Sequence, residues 1–206
     1  MIYELRAYQL RPGGIPHYLD FFEAVGLPVI SRYAELVGYF RTETGMLNRI
    51  VHLWRYRDRA HRAGQRAALL ADREWQTAFL PHAMGMLLDQ HSTILQLVPA
   101  FADPMPSTPA AAPRIYDLQI RSTAPADLAR LIDHECRESV HRADWAWTAQ
   151  SGDLGRLVEL TAFDDEAERS ARLAAVADAQ RGRPPFQPEP KTERETLVPA
   201  RFSPLS

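Results

Sequence analysis

The chain repeats itself, and that repetition limits its architecture more than any other feature. Ile2-Tyr3-Glu4-Leu5 returns as Ile115-Tyr116-Asp117-Leu118, and the segment Gly45 to Leu53 returns as Gly152 to Leu160. Leu97-Val98-Pro99-Ala100 returns unchanged at Leu197 to Ala200. Matches that recur in one order point to a duplication. Its unit is about half of the 206 residues, too long for a solenoid repeat of roughly 20–50 residues and right for a small domain.

Proline-rich sequence separates the copies. Prolines at 99, 104, 106, 109 and 113 cannot donate to a strand ladder and favour extended backbone. The expected division is therefore a first domain over 1–101, a Pro/Ala-rich linker over 102–113, and a second, divergent domain over 114–206.

Within the first half, Met1 to Leu10 alternates as a strand, with Tyr3, Leu5 and Ala7 on one face and Glu4, Arg6 and Tyr8 on the other. After a turn at Arg11 to Gly14, Tyr18, Leu19, Phe22 and Val25 take helical spacing that is expected to end near Gly26 and Pro28. Leu36 to Glu43 and Arg49 to Arg57 read as strands joined through Gly45. Asp58 is a good N-cap for a helix with a stripe of small residues, Ala60, Ala63, Gly64 and Ala67, mirrored by Ala167, Ser170, Ala171 and Ala174. A further helix is expected over Asp72 to Asp89, and a closing strand over Thr93 to Val98.

The order βαββαβ is the split βαβ, ferredoxin-like unit, with helices on one face of an antiparallel sheet. The bare face needs a cover, and a duplicated chain carries two such faces. The expected fold class is α+β, two tandem ferredoxin-like domains whose sheets meet in a dimeric α+β barrel type of arrangement. The second half departs from the first near Arg181 to Pro190, where prolines rule out a continuous helix.

Composition removes several function classes. Net charge is −2, so no excess of positive charge exists to neutralise phosphates, and neither nucleic acid nor a membrane surface is an expected partner. The single cysteine, Cys136, excludes an intrachain disulfide and makes a structural zinc site improbable. No apolar run nears the roughly 20 residues of a membrane span, and the first residues have no signal-peptide pattern. A cytoplasmic protein starting at or near Met1 is expected. One lysine among 24 basic residues, with abundant alanine, suggests a GC-rich bacterial source.

Three segments of the first half carry a family resemblance. Met1-Ile2-Tyr3-Glu4-Leu5-Arg6-x-Tyr8 precedes Pro12-Gly13; Leu36-Val37-Gly38-Tyr39-Phe40 precedes Glu43-x-Gly45-x-x-Asn48; and Val51-His52-Leu53-Trp54-x-Tyr56 follows. Together they resemble the NIPSNAP family. The resemblance implies the dimeric α+β barrel superfamily, whose members include cofactor-free monooxygenases, small-ring cyclases, isomerases and haem enzymes. It implies no single reaction, because fold and function separate freely.

The residue types point to one candidate site. Arg6 and Tyr8 share a strand face, as do His52, Trp54 and Tyr56. Arg6 suits a carboxylate or enolate, His52 proton transfer, Trp54 stacking, and Glu4 orients Arg6 or serves as base. His52, Arg6 and Glu4 are thus the candidate catalytic residues. Tyr8, Trp54, Tyr56, Phe40, Trp145 and Trp147 are the candidate substrate-binding residues. The competing reading pairs Arg6 with Glu4 or Glu43 and leaves His52 and Trp54 as packing. The second half has Gln119, Arg121, Glu159 and Thr161 where the first has Arg6, Tyr8, His52 and Trp54, so a pocket should be lined chiefly by the first half, with Trp145 and Trp147 as its lid.

Other groups are weaker. His134, Glu138 and His141 share a predicted helix face, but a solvated or interface-lining face explains them better than a metal. No axial-ligand motif supports haem at His82 or His91, and no histidine clearly pairs with Cys136. No metal and no cofactor are expected. The leading expectation is a cofactor-independent enzyme of cyclase, isomerase or monooxygenase type, acting on a hydrophobic oxygenated small molecule in a barrel pocket. The alternative is a non-enzymatic small-molecule-binding or assembly module, which a closed, side-chain-filled barrel would favour. Self-association, most simply as a homodimer, is expected through helical and sheet-edge surface that includes Met84 and Met86.

Overall fold

The computed structural model describes residues 1–101, 114–137, 143–181 and 186–206. The expected linker over 102–113 and two of the three residues of the His134, Glu138, His141 group lie outside them.

Eight strands form: β1 (Ile2–Leu10), β2 (Glu35–Thr44), β3 (Arg49–Tyr56), β4 (Leu87–Leu97), β5 (Ile115–Ser122), β6 (Trp145–Ala149), β7 (Arg156–Phe163) and β8 (Lys191–Pro199). They close into one barrel in the order β1-β3-β2-β8-β5-β7-β6-β4, every neighbouring pair antiparallel. One arc, β4-β1-β3-β2, comes from the first half, and the other, β8-β5-β7-β6, from the second. The fold is α+β, and the two bare sheet faces cover each other across the barrel interior.

Helices lie outside the barrel: α1 (Gly14–Phe21), α2 (Leu27–Ile30), α3 (Arg59–Ala71), α4 (Leu80–Met86), α5 (Leu128–Arg137) and α6 (Glu166–Gln180). Asp58 caps α3 by accepting from the backbone N–H of His61, and Asp165 caps α6 in the same way from Glu168. A π turn over Phe22–Gly26 links α1 to α2. The helical path thus passes the expected stop at Gly26 and Pro28, because Pro28 falls in the first turn of α2, where no N–H is needed.

The second correction concerns Leu87. Helix was expected to Asp89, but β4 starts at Leu87, where Gln9 pairs with Asp89 and Leu10 with Leu87 across a bulge. Pairing along a strand already in place overrides the local helical pattern. The β2–β3 turn matches its residues: Gly45 and Asn48 both have positive φ, which glycine and asparagine adopt at least cost.

Period-two alternation sorts side chains to two sides of the wall. Tyr3, Ala7, Phe40, Val51, Leu53, Leu95, Tyr116, Leu118, Trp147, Val158, Leu160 and Leu197 form the barrel interior. Tyr39, Ile50, Trp54 and Tyr56 face outward into a layer with Tyr18, Phe22, Val29, Trp75 and Phe79. A bulge in β2 between Leu36 and Gly38 shifts the alternation, so that Val37 and Phe40 share the barrel interior while Leu36 and Tyr39 face the helices. A third, smaller layer under α5 contains Leu131, Ala146 and Leu157.

The seams interlock the halves. β4 joins β6 through Leu95–Leu97, and β8 joins β2 through Thr196, Leu197, Val198 and Pro199. Beyond each repeated Leu-Val-Pro-Ala segment, the chain crosses to the other half. Phe101 packs in the layer beneath α5, while Phe202 packs against Tyr39 and Phe22.

Candidate ligand site between sheet and helices

Glu4, Arg6 and Tyr8 on β1 lie beside His52, Trp54 and Tyr56 on β3, with Arg6 opposite His52 and Glu4 opposite Trp54 in the ladder. All six face the helices. Phe40, Trp145 and Trp147 face the barrel interior, where the Trp147 ring meets Tyr3 edge-on at 5.7 Å. The expected lid is therefore corrected: Trp145 and Trp147 stand on the far side of the sheet from His52 and cannot close a cavity around it. The expected pocket in the barrel is corrected as well: Tyr3, Phe40, Tyr116 and Trp147 fill that interior and the polar residues point away from it.

Glu4 is fully buried and is an anchor. Burial alone would raise its pKa, but hydrogen bonds from Arg62 and Ser92 and the charges of Arg6 and Arg62 outweigh burial and hold the carboxyl at about 2. Arg62 on α3 reaches it with two nitrogens at 2.6 and 2.9 Å, Arg6 with one at 2.9 Å, and the Ser92 hydroxyl at 2.7 Å. A carboxylate so committed does not serve as a base at neutral pH. This corrects the expectation that Glu4 could be one, and leaves it the role of orienting Arg6.

Arg6 divides its donors among Glu4, the Tyr8 hydroxyl at 2.8 Å and the Gln90 side-chain oxygen at 3.0 Å. Its guanidinium therefore stands at the rim of the layer with its direction fixed. Tyr56 sits at the other end of β3, edge-on to His61 at 6.2 Å, and burial with the nearby Glu4 charge pushes its hydroxyl up to about 12.

His52 occupies the centre. Its ring stacks on Tyr39 at 4.7 Å and receives the edge of Tyr8 at 4.6 Å; Tyr39 in turn stacks on Phe22 at 4.7 Å. Burial, and then the Arg6 charge, push its pKa well below the ordinary imidazole value, so the ring is neutral near pH 7. Trp54 donates its indole N–H to Nδ1 at 2.5 Å. An accepting Nδ1 has no proton, so this bond assigns the proton to Nε2.

That Nε2 is buried with no hydrogen-bond partner, while the buried Tyr39 hydroxyl leans on that of Tyr18. Burial, and next the neighbouring phenols of Tyr18 and Tyr8, keep Tyr39 protonated far above its ordinary range. Two cross-strand neighbours thus meet in one aromatic layer, His52 with an unfilled donor and Tyr39 with a hydroxyl held only by Tyr18. Leaving a buried donor unpaired costs about 1–3 kcal/mol, which makes this pair the least satisfied part of the layer.

The second half repeats the anchor but not the centre. Asp117 accepts from Arg169 on α6 at 2.7 Å and from the Thr196 hydroxyl at 3.3 Å, matching Glu4 with Arg62 and Ser92. Where His52 would stand, Glu159 is buried beside Arg121, which also pairs with Glu135 on α5. Burial raises Glu159 to about 7, against the lowering effect of Arg121 and with the help of Glu135.

The sequence pattern alone missed Tyr18, Tyr39, Arg62, Ser92, Gln90 and Phe202. Arg62 and Arg169 share the offset that relates the small-residue stripes, and that offset could have revealed the anchor. Tyr39 lay within a quoted motif beside Phe40, and only the bulge at Gly38 decides which of the two faces the helices. Elsewhere, His134 on α5 lies 5.6 Å from the Phe186 ring, Cys136 is partly buried, and His91 pairs with Asp89. Among the described residues, no three His, Cys, Asp or Glu side chains cluster as metal ligands, and no helix is long and apolar enough to cross a membrane.

A model of the NIPSNAP family matches residues 3–101 and again residues 113–204. Protein NipSnap homolog 3A of Homo sapiens is 38% identical over 100 residues, 48% of this chain and 40% of that protein; NipSnap homolog 3B of Mus musculus is 36% identical over 98 residues, 47% and 39%. The match thus spans less than half the length of these relatives. An uncharacterized NIPSNAP domain protein from Burkholderia xenovorans aligns with all of its own chain to 50% of this one at 38% identity, with a TM-score of 0.49. A candidate monooxygenase from Fusobacterium nucleatum aligns over 96% of this chain and 91% of its own, with a TM-score of 0.64 at 9% identity, a likeness of fold alone.

Proposed function

The chain belongs to the NIPSNAP family, and from that premise we propose that it binds a small hydrophobic molecule through a carbonyl or enolate oxygen, between the first-half arc of the barrel and the helices over it. The observation that carries this reading is the unfilled buried donor His52 Nε2–H, with the Tyr39 O–H on the neighbouring strand able to turn from Tyr18 toward the same ligand oxygen, beside the fixed charge of Arg6. One ligand oxygen can accept from such donors. A neutral imidazole N–H polarises a carbonyl and stabilises the enolate left when solvent takes the α-proton, since neither Glu4 nor His52 serves as the base.

In this reading residues 1–101 hold the ligand, while residues 114–206 complete the barrel and lay Phe202 over Tyr39. His52 acts as a hydrogen-bond donor and not as a base, because Trp54 occupies its other nitrogen. Arg6 favours the developing negative charge, Tyr8 holds Arg6, and Trp54 sets the tautomer. Stabilising an enolate serves isomerisation, cyclisation and oxygenation alike, and the chain is proposed to act as an enzyme of this kind without a cofactor of its own. A binding module without catalysis is the second reading, favoured by the closed, side-chain-filled barrel and by the commitment of Glu4 to two arginines.

Thermal-shift and calorimetric titration with phenols and 1,3-dicarbonyl compounds tests the binding step. Ligands should stabilise the wild type, and Tyr39→Phe and His52→Leu should each weaken binding about 10-fold or more. Hydrogen–deuterium exchange at the ligand α-carbon separates the two readings: acceleration supports the enzyme, and binding without acceleration supports the module. Equal affinity in wild type and both variants contradicts the site.

A further inference from the structure

β4 is longer than its seam. It pairs with β6 only through Leu95–Leu97, and Ile94 bonds to Gln150 and Ser151, so Leu87 to Thr93 have β1 on one side and no strand on the other among the described residues. Leu88 to Ser92 are exposed. The matching stretch of β8, Lys191 to Glu195, is protected by alternating charge and by the preceding Pro188 and Pro190. β4 has no such run of charge; Leu88 is half exposed, as is Met84 just before the strand.

We propose that this edge pairs antiparallel with the same edge of a second copy, about a two-fold axis through Gln90. Backbone geometry and charge select that register. Ile94 directs both its N–H and its C=O away from β1, so by alternation Ser92 and Gln90 direct theirs outward too. A two-fold axis normal to the sheet keeps faces matched, so the axis must pass through a residue and not between two. Centring on Asp89 opposes two carboxylates, and centring on His91 opposes two imidazoles. Centring on Gln90 sets Asp89 against the partner's His91 twice, with outward backbone groups reciprocally bonded at the axis.

The single chain already forms this contact within itself: His91 Nε2 lies 2.7 Å from Asp89, whose other oxygen accepts from the Gln90 N–H at 2.7 Å. Pairing exchanges the His91–Asp89 contact for the same contact made between copies, and moves the Gln90 N–H from Asp89 to the C=O of the partner's Gln90. Gln90 also receives the hydrogen bond from Arg6, so the partner's Gln90 comes to the same sheet face beside the rim of the candidate site. This interface stands independently of any ligand.

Analytical ultracentrifugation of the full chain over about 1–200 µM tests the proposal, since one short strand pair is a small interface and suits micromolar affinity. Wild type should move from monomer to dimer and no further. Asp89→Arg should weaken dimerisation at least about 10-fold, and adding His91→Asp should restore it. In a Cys136→Ser background, Gln90→Cys should form an interchain disulfide under mild oxidation, while Met84→Cys should form little, with circular dichroism checking each fold. A monomer throughout, an Asp89→Arg variant that dimerises like wild type, assembly beyond the dimer, or equal cross-linking at both positions would each overturn the proposal.

Discussion

Trp54 and His52, two residues apart on one strand face, share a hydrogen bond that decides what the histidine can do: the indole N–H fills Nδ1 and leaves Nε2–H facing outward without a partner. Neutral His52 is therefore a donor at the point where the sheet meets the helices.

The first prediction concerns this tautomer. Nitrogen NMR of the wild type should show His52 neutral and protonated at Nε2 at pH 7, because burial opposes the charged form. Trp54→Phe should permit the other tautomer, at a stability cost of about 1–3 kcal/mol for the acceptor left bare. A protonated imidazolium at pH 7 in the wild type would refute the donor assignment.

Glu4 supplies an acid-side prediction. Its folded pKa, about 2, lies below the unfolded value of 4.5, so its contribution is present above pH 4.5 and is lost as pH falls through 2. The loss should reach about 3 kcal/mol in denaturant titrations. Glu4→Gln should cost about 3–5 kcal/mol at pH 7, because Arg6 and Arg62 would keep buried charge without its partner. A loss below about 1 kcal/mol would make this ion cluster incidental to the docking of α3.

Glu159 gives the opposite sign. Its folded pKa, about 7, lies above the unfolded 4.5, so the native state keeps a proton that the unfolded chain has released. Stability should therefore fall as pH rises from about 4.5 to 7, by up to about 3 kcal/mol. Glu159→Gln should flatten that slope, and an unchanged slope in the variant would assign the dependence to other groups.

Much of this arrangement is legible in the sequence. The duplication, the strand alternation on β1 and β3 and the Asp58 cap all follow from residue order. The side of the sheet that faces the helices does not, because Tyr3, Leu5 and Ala7 on one face are as apolar as Ile2, Tyr8 and Leu10 on the other. Closure of the wall decides it, through one seam between residues about 50 apart in sequence and another between residues about 155 apart. The pairing of Glu4 with Arg6 is legible, but the bonds from Glu4 to Arg62 and Ser92 and the matching anchor at Asp117 are not, because each joins a strand to a helix and to the last strand of its half, which local periodicity does not register.

Trp147 tests the separation of faces. Trp147→Ala should destabilise the protein by about 3–5 kcal/mol, as removing a large interior side chain does. At a temperature where the variant stays folded, its ligand affinity should remain within about twofold of wild type. A loss of affinity as large as that of Tyr39→Phe would restore the lid.

The most direct measurement is a crystal structure of the complex with a 1,3-dicarbonyl or phenolic ligand that passes the titration. The account predicts a ligand oxygen within hydrogen-bond distance of His52 Nε2 and the Tyr39 hydroxyl, on the helix side of the sheet. A ligand found inside the barrel against Tyr3 and Trp147, with His52 Nε2 still unpaired, would contradict it.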